Sequence, residues 1–377
     1  MEKKRLKSLD ALRGFDLFLL FCLGGIIIAG AEAFQWPWLK SLAEQCDHVW
    51  WTGYRIWDQI MPLFMFMAGV SIPFAFGKYR EEQRSMKQIY WRIGRRFVVL
   101  WILGMICQGN LLTFQPGEWK WYSNTLQTIA VGYLASSLMF LHTKPKTQII
   151  TAIGLLIAYW AAMMFIKVDG FGGGDFTPDG NFAEWVDRAV MGYTRPGTKM
   201  TPDGGFVFSE GYRYTWILSS LNFIVTVMSG MFAGEVLKNK TKTGNQKALF
   251  LIVLGAICIV AGLLWNLQMP IVKRIWTSSM TVFSSGISFL LMGVFYWMID
   301  VKEWKGFDWL TVFGMNSIFV YMLPVFVSFK GIAAKMLPGL MNYMSESCFV
   351  FCTEVAGAIL LYLLLKLMKK KEIFLKV

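Results

Sequence analysis

The sequence predicts an all-α, polytopic integral membrane protein of about ten transmembrane helices, with both termini in the cytoplasm. Three observations carry this. The 377-residue chain is 55% hydrophobic and only 16% charged, with a mean hydropathy of +0.47, whereas a soluble domain carries about 25% charged residues. Its apolar residues fall in runs near the length of about 20 that a helix needs to cross the hydrocarbon layer. Its basic residues segregate onto alternate loops. Soluble-enzyme, disordered and fibrous classes are excluded together, because there is too little charge to solvate a globule of this size. No long polar linker interrupts the chain, so residues 1–377 read as one transmembrane domain.

The apolar segments lie at roughly 13–33, 55–77, 97–113, 123–141, 148–166, 215–237, 248–267, 276–299, 307–328 and 347–368. With the N-terminus inside, 25 of the 37 Lys and Arg fall on cytoplasmic segments and 12 outside, which is the positive-inside rule. The net charge of +13 is therefore a topology signal. The partner it implies is the lipid bilayer and not nucleic acid. The first span is too long for the apolar core of a signal peptide and has no small-residue cleavage site, so it is expected to remain as a helix. No internal repeat is visible, which weakens a transporter built from inverted halves.

Two outer segments stand apart. Residues 34–54 are rich in tryptophan, with Trp36, Trp38, Trp50 and Trp51. Residues 167–214 form a long glycine-rich stretch containing an amphipathic NFAEWVDRAVMGY. A loop of that length on a compact domain reads equally as a solvated cap or as a lid over a substrate cavity. The six cysteines show no metal-ligand spacing. Cys46, Cys348 and Cys352 lie on the outer side, where at most one disulfide is possible and none is expected. No metal is expected either.

Chemistry-bearing residues are few. Of only two histidines, His142 sits at a cytoplasmic helix end as an ordinary cap, and His48 sits in CDHVWWTG on the outer face. Histidine titrates near neutral pH, so His48 is a candidate acid–base group; an aromatic interfacial belt explains Trp50 and Trp51 without any chemistry. Asp16, Asp58 and Glu354 lie inside spans, where a carboxylate is costly and marks a functional site by default. Asp10, Arg13 and Asp16 follow at i, i+3 spacing on one face of the first helix. His48, Asp58 and Glu354 are expected to share a cavity opening outward. Arg92, Arg95 and Arg96, in the loop that also holds Lys78, Arg80, Arg84 and Lys87, are either positive-inside charge or a patch for phosphates. Rossmann, P-loop, zinc-protease and hydrolase-elbow motifs are absent.

The blocks SLDALRGFDLF (8–18), DHVWWTGYRIWDQIMPLFMFMAGVSIPFAF (47–76), WRIGRRFVVLWILGM (91–105), NTLQTIAVGYL (124–134), PIVKRIWTSSMTVFSSGISFLLMGVFYWMID (270–300) and GMNSIFVYM (314–322) together resemble the heparan-alpha-glucosaminide N-acetyltransferase family. The resemblance implies a bacterial inner-membrane acetyltransferase. It would take acetyl-CoA from the cytoplasm and deliver the acetyl group to the amine of a glucosamine-type sugar on the periplasmic side. The family's histidine falls on His48, as general base or acetyl carrier. Asp58 would orient it, Trp50, Trp51 and Glu354 would line the acceptor site, and Asn124, Gln127, Asn316, Arg13, Arg92, Arg95 and Arg96 would hold the cofactor. The expected partners are acetyl-CoA, an amino-sugar acceptor and lipid, with a homodimer left open. Two features depart from the family. Gly24 or Gly25 stands where human-type enzymes carry an asparagine, and Gln127-Thr128 stands where a Gln-Arg pair is common. The large lumenal domain that precedes the first span in human-type enzymes is expected to be missing, so a heparan acceptor is not carried over. The rival readings are a transporter or flippase for an amino sugar or lipid-linked intermediate, and an envelope polysaccharide O-acetyltransferase.

Overall fold

The computed structural model describes residues 6–81, 84–209 and 211–375, apart from the side chains of Lys78, Arg80 and Glu81. Those two basic residues and the N-terminal Lys3, Lys4 and Arg5 of the charge pattern lie outside the description. The helices are α1 (Lys7–Phe18), α2 (Gly24–Phe34), α3 (Pro37–Gln45), α4 (Ile60–Glu81), α5 (Met86–Gln108), α6 (Thr125–His142), α7 (Pro145–Phe165), α8 (Phe182–Met191), α9 (Ser220–Lys238), α10 (Gly244–Trp265), α11 (Ser278–Tyr296), α12 (Leu310–Met315), α13 (Ser317–Phe326), α14 (Phe329–Met336) and α15 (Glu346–Lys370). A π-helical turn, Leu19–Leu23, joins α1 and α2 into one rod.

Among the described residues, seven helices are long and apolar enough to cross a membrane, or eight if the bent pair of α13 and α14 counts as one span. The protein is a multi-pass membrane protein; the expected count of ten is not confirmed. The expected segment 97–113 belongs to α5, whose first half carries Lys87, Arg92, Arg95 and Arg96. The segment 123–141 is α6, which buries Gln127, Thr128, Ser136 and Ser137. The segment 307–328 is broken at Asn316 and bends again by 59° into α14.

Which helices meet lipid follows from composition. Windows of α4 and α9 are 67% buried, against 22% for α7, α10 and α15. The exposed residues of α10 include Leu249, Val253, Ile257 and Leu264, an unbroken apolar surface that only hydrocarbon would cover. The central pair α4 and α9 touches backbone to backbone. A Cβ on Gly69 would lie 1.9 Å from the Val227 carbonyl oxygen, and one on Gly230 would lie 1.8 Å from that of Phe66. Glycine is required there because small residues let membrane helices approach closely.

The expectation of an all-α chain is corrected in one place. The segment 167–214 folds around α8 with two short hairpins, β1 (Lys167–Val168) with β2 (Phe171–Gly172), and β3 (Thr198–Met200) with β4 (Phe206–Phe208). Beside the buried Phe182 and Ala183, its interior holds an ion-pair network. The fully buried Arg195 donates through Nη2 to Glu184 Oε2 (2.5 Å), and Arg188 Nε reaches the other Glu184 oxygen (2.7 Å). Asp187 accepts from the Trp216 and Ile217 amides at 2.8 and 2.9 Å, which ties this cap to the approach to α9.

Candidate functional site

Two loops meet above the helix ends. Gly53 adopts φ +120°, which a side chain strongly disfavours, and its amide donates to the Ile271 carbonyl at 2.9 Å. This contact sets the 47–55 loop, with His48, against the 270–276 loop, with Lys273. Asp58 sits in the 3₁₀ turn Ile56–Gln59 that opens α4. Its Oδ2 accepts from the Arg55 amide (3.0 Å) and the Val49 amide (3.4 Å). The adjacent Gln59 accepts from the Tyr54 hydroxyl and donates to Ser288 Oγ (2.8 Å) and the Ser284 carbonyl (3.2 Å), locking the turn to α11.

The result is a three-residue cluster. His48 Nδ1 lies 2.8 Å from Asp58 Oδ1, and Lys273 Nζ lies 3.4 Å from that oxygen and 3.1 Å from the same ring nitrogen. One proton on Nδ1 cannot serve both neighbours. With the proton on Nδ1, the ring donates to Asp58, Lys273 pairs with the carboxylate, and the Nε2 lone pair is free. No described residue hydrogen-bonds Nε2. Lys273 is 7% exposed, and burial holds its ammonium down at about 8 from an ordinary 10.5. Asp58 opposes that fall and Arg274 adds to it.

His48 and Lys273 line a cavity of about 690 Å³, within the range of small-molecule sites. Its floor is apolar, with Leu20, Met61 and Phe64, and its far wall comes from Tyr212, Tyr214 and Trp216 on the approach to α9. Pro196, Gly197 and Thr198 of the 167–214 cap also line it.

A family model described as a domain of unknown function (DUF5009) matches residues 5–177. The mouse heparan-alpha-glucosaminide N-acetyltransferase is 24% identical over 84% of this chain, and the human one 25% identical over 84%. The chain is a distant relative of these N-acetyltransferases. It spans about half the length of the curated relatives it matches, 53% of the mouse protein and 52% of the human one. The stretch DHVWWTGYRIWD builds the His48–Asp58 contact.

Of the residues singled out from sequence, His48 and Asp58 come together. Glu354 does not join them: it pairs with Lys330 (2.6 Å) in a separate small cavity between α14 and α15. Trp50 is 67% exposed, and Trp51 is buried with its indole donating to the Phe176 carbonyl. Neither lines the cavity; Trp57 and Trp216 do. Asn124 and Gln127 are spent on a capping box at the start of α6, and Gln127 donates to the Trp121 carbonyl. Asn316 holds the C-terminal segment through Ile373 and Leu375 (3.0 and 3.1 Å). Arg13 donates to the Met67 carbonyl (3.2 Å). Arg92 and Arg96 stack over Tyr79 and Tyr133, and Arg95 borders an apolar groove on α5. None of these lines the His48 cavity. Asp16 is buried one turn below the cavity-lining Leu20, with no hydrogen bond to Oδ2. Sequence reading did not single out Lys273, although PIVKRIW opens one of the resembling blocks, and missed Lys120 and Tyr214 for want of a local pattern. All six cysteines are free, and no group of three metal-ligating side chains occurs among the described residues.

Proposed function

We propose that the protein is a transmembrane acetyltransferase of the bacterial inner membrane. It moves the acetyl group of cytoplasmic acetyl-CoA to the amine of a glucosamine-type sugar held on the periplasmic side. The observation that carries this reading is the 2.8 Å contact between His48 Nδ1 and Asp58 Oδ1 at the wall of a substrate-sized cavity. The distant relatives named above support the same reaction class.

The chemistry asks little of the protein. The acceptor nitrogen attacks the thioester carbonyl carbon, an N–C bond forms and the C–S bond breaks. The nitrogen passes one proton to His48 Nε2, which returns it to the departing sulfur. Asp58 holds the ring in the tautomer that leaves Nε2 basic and steadies the imidazolium once formed. Asp58 keeps its own orientation through the Arg55 and Val49 amides. Lys273 offsets the carboxylate charge, and its buried ammonium bears on which ring nitrogen carries the proton.

The test is the thermal midpoint of the detergent-purified protein with and without acetyl-CoA. A ligand of the folded state alone raises apparent stability, by about 2.7 kcal/mol at a hundred times its Kd. A rise saturating with acetyl-CoA supports the reading. An unchanged midpoint at millimolar acetyl-CoA contradicts it.

A further inference from the structure

The lining of the His48 cavity carries positive charge and, among the described residues, no carboxylate. Lys273 is matched by Asp58 behind it. Lys120 is not matched. It lies between α5 and α6 at 9% exposure, and its ammonium donates to the Tyr193 carbonyl (3.0 Å), the Thr198 carbonyl (3.4 Å) and Thr198 Oγ1 (2.5 Å). All three acceptors are neutral. The acid whose field reaches it is Glu118, which forms no ion pair with it, and burial holds the ammonium below the ordinary lysine range. Neutral oxygens fix the direction of the charge without cancelling it, and a charge taken out of water calls for an opposite one. A second cation backs one of the aromatic residues that line the same cavity. The Arg274 guanidinium lies 5.4 Å over the Tyr214 ring with its buried Nε unpartnered. Tyr214 and Trp216 stack at 6.3 Å and give this wall a flat aromatic face.

We infer that Lys120 marks an anion subsite of the cavity. It takes a phosphate or carboxylate carried by one of the two substrates, and Tyr214 and Trp216 pack against the ring that bears it. This deepens the acetyl-transfer reading by giving a substrate a charge. Two sources share the chemistry: an acidic group on the acceptor sugar, which the seat of Lys120 against Tyr193 and Thr198 of the 167–214 cap favours, and the phosphates of the thioester's nucleotide. The second arm below tells them apart.

The experiment uses the full chain in detergent, as wild type, Lys120→Gln and Lys120→Arg. Glutamine keeps donors for the Tyr193 and Thr198 oxygens and removes the charge; arginine keeps the charge. The first arm titrates inorganic pyrophosphate against the thermal midpoint and needs no acetyl transfer. Wild type and Lys120→Arg bind, Lys120→Gln binds roughly ten- to a hundredfold more weakly, and the difference shrinks with salt. Equal affinity in Lys120→Gln, or no pyrophosphate binding by the wild type, overturns the inference whatever becomes of the acetyltransferase reading. The second arm follows CoA release. A raised KM for acetyl-CoA but not for acetylpantetheine assigns the anion to the nucleotide. A raised KM for glucosamine 6-phosphate but not for glucosamine assigns it to the acceptor. A Lys120→Gln protein with a lower midpoint and unchanged affinities makes Lys120 a latch between two loops and sinks the subsite.

Discussion

Three side chains lie within 3.4 Å of one another at the proposed base. Asp58→Asn keeps the shape but can donate to Nδ1, which would leave the proton on Nε2 and remove the base. The expected loss in kcat is at least about a hundredfold, with KM nearly unchanged; a kcat within twofold of wild type contradicts the role. Lys273 gives a separate prediction in stability. Between pH 8 and 10.5 the unfolded chain holds a proton on Lys273 that the native chain has lost. The unfolded state then binds more protons, so stability rises with pH across that window and the burial penalty is fully present below it. The rise reaches up to about 3 kcal/mol. Thermal midpoints at stepped pH should climb for the wild type and lie flatter for Lys273→Met.

At the element scale, the site depends on contacts that hold loops and helices in register. Gly230 meets the Phe66 carbonyl with no room for a methyl group. Gly230→Ala should cost about 1–3 kcal/mol through forced separation of α4 and α9, read as a lower thermal midpoint; an unshifted midpoint would show that the pair yields freely. In the cap, Glu184→Leu strands the fully buried Arg195. Removing one partner of a buried pair costs about 3–5 kcal/mol. Limited proteolysis should then cut within 167–214 sooner than in wild type, and equal cutting rates would argue against the pair as the cap's anchor. The amphipathic pattern of α8 was legible in NFAEWVDRAVMGY. The two hairpins were not, because each is only two or three residues per strand and has no periodicity to read.

At the scale of the whole molecule, composition alone fixed the membrane class, since 16% charge leaves no soluble alternative. The number of spans was less legible. The breaks at Asn316 and before α14 interrupt an apolar run that reads as continuous, and the basic start of α5 weakens it as a span. Half of the site was legible as well. His48 and Asp58 sit ten residues apart on one loop-and-turn unit, so their meeting is local. Lys273 lies 225 residues from His48, and only the tertiary fold brings it there. Glu354 failed for the converse reason: depth in a span says nothing of which neighbour a helix faces, and α15 packs against α14 and α2.

The central claim is that His48 is the base of an acetyl transfer to an amine. The experiment that bears on it is release of free CoA from acetyl-CoA by the purified 377-residue chain with and without glucosamine, for wild type beside His48→Ala. Wild type should release CoA only with glucosamine present, and His48→Ala should fall at least about a hundredfold, with the acetyl-CoA-induced rise in thermal midpoint retained. Undiminished release by His48→Ala would contradict that claim.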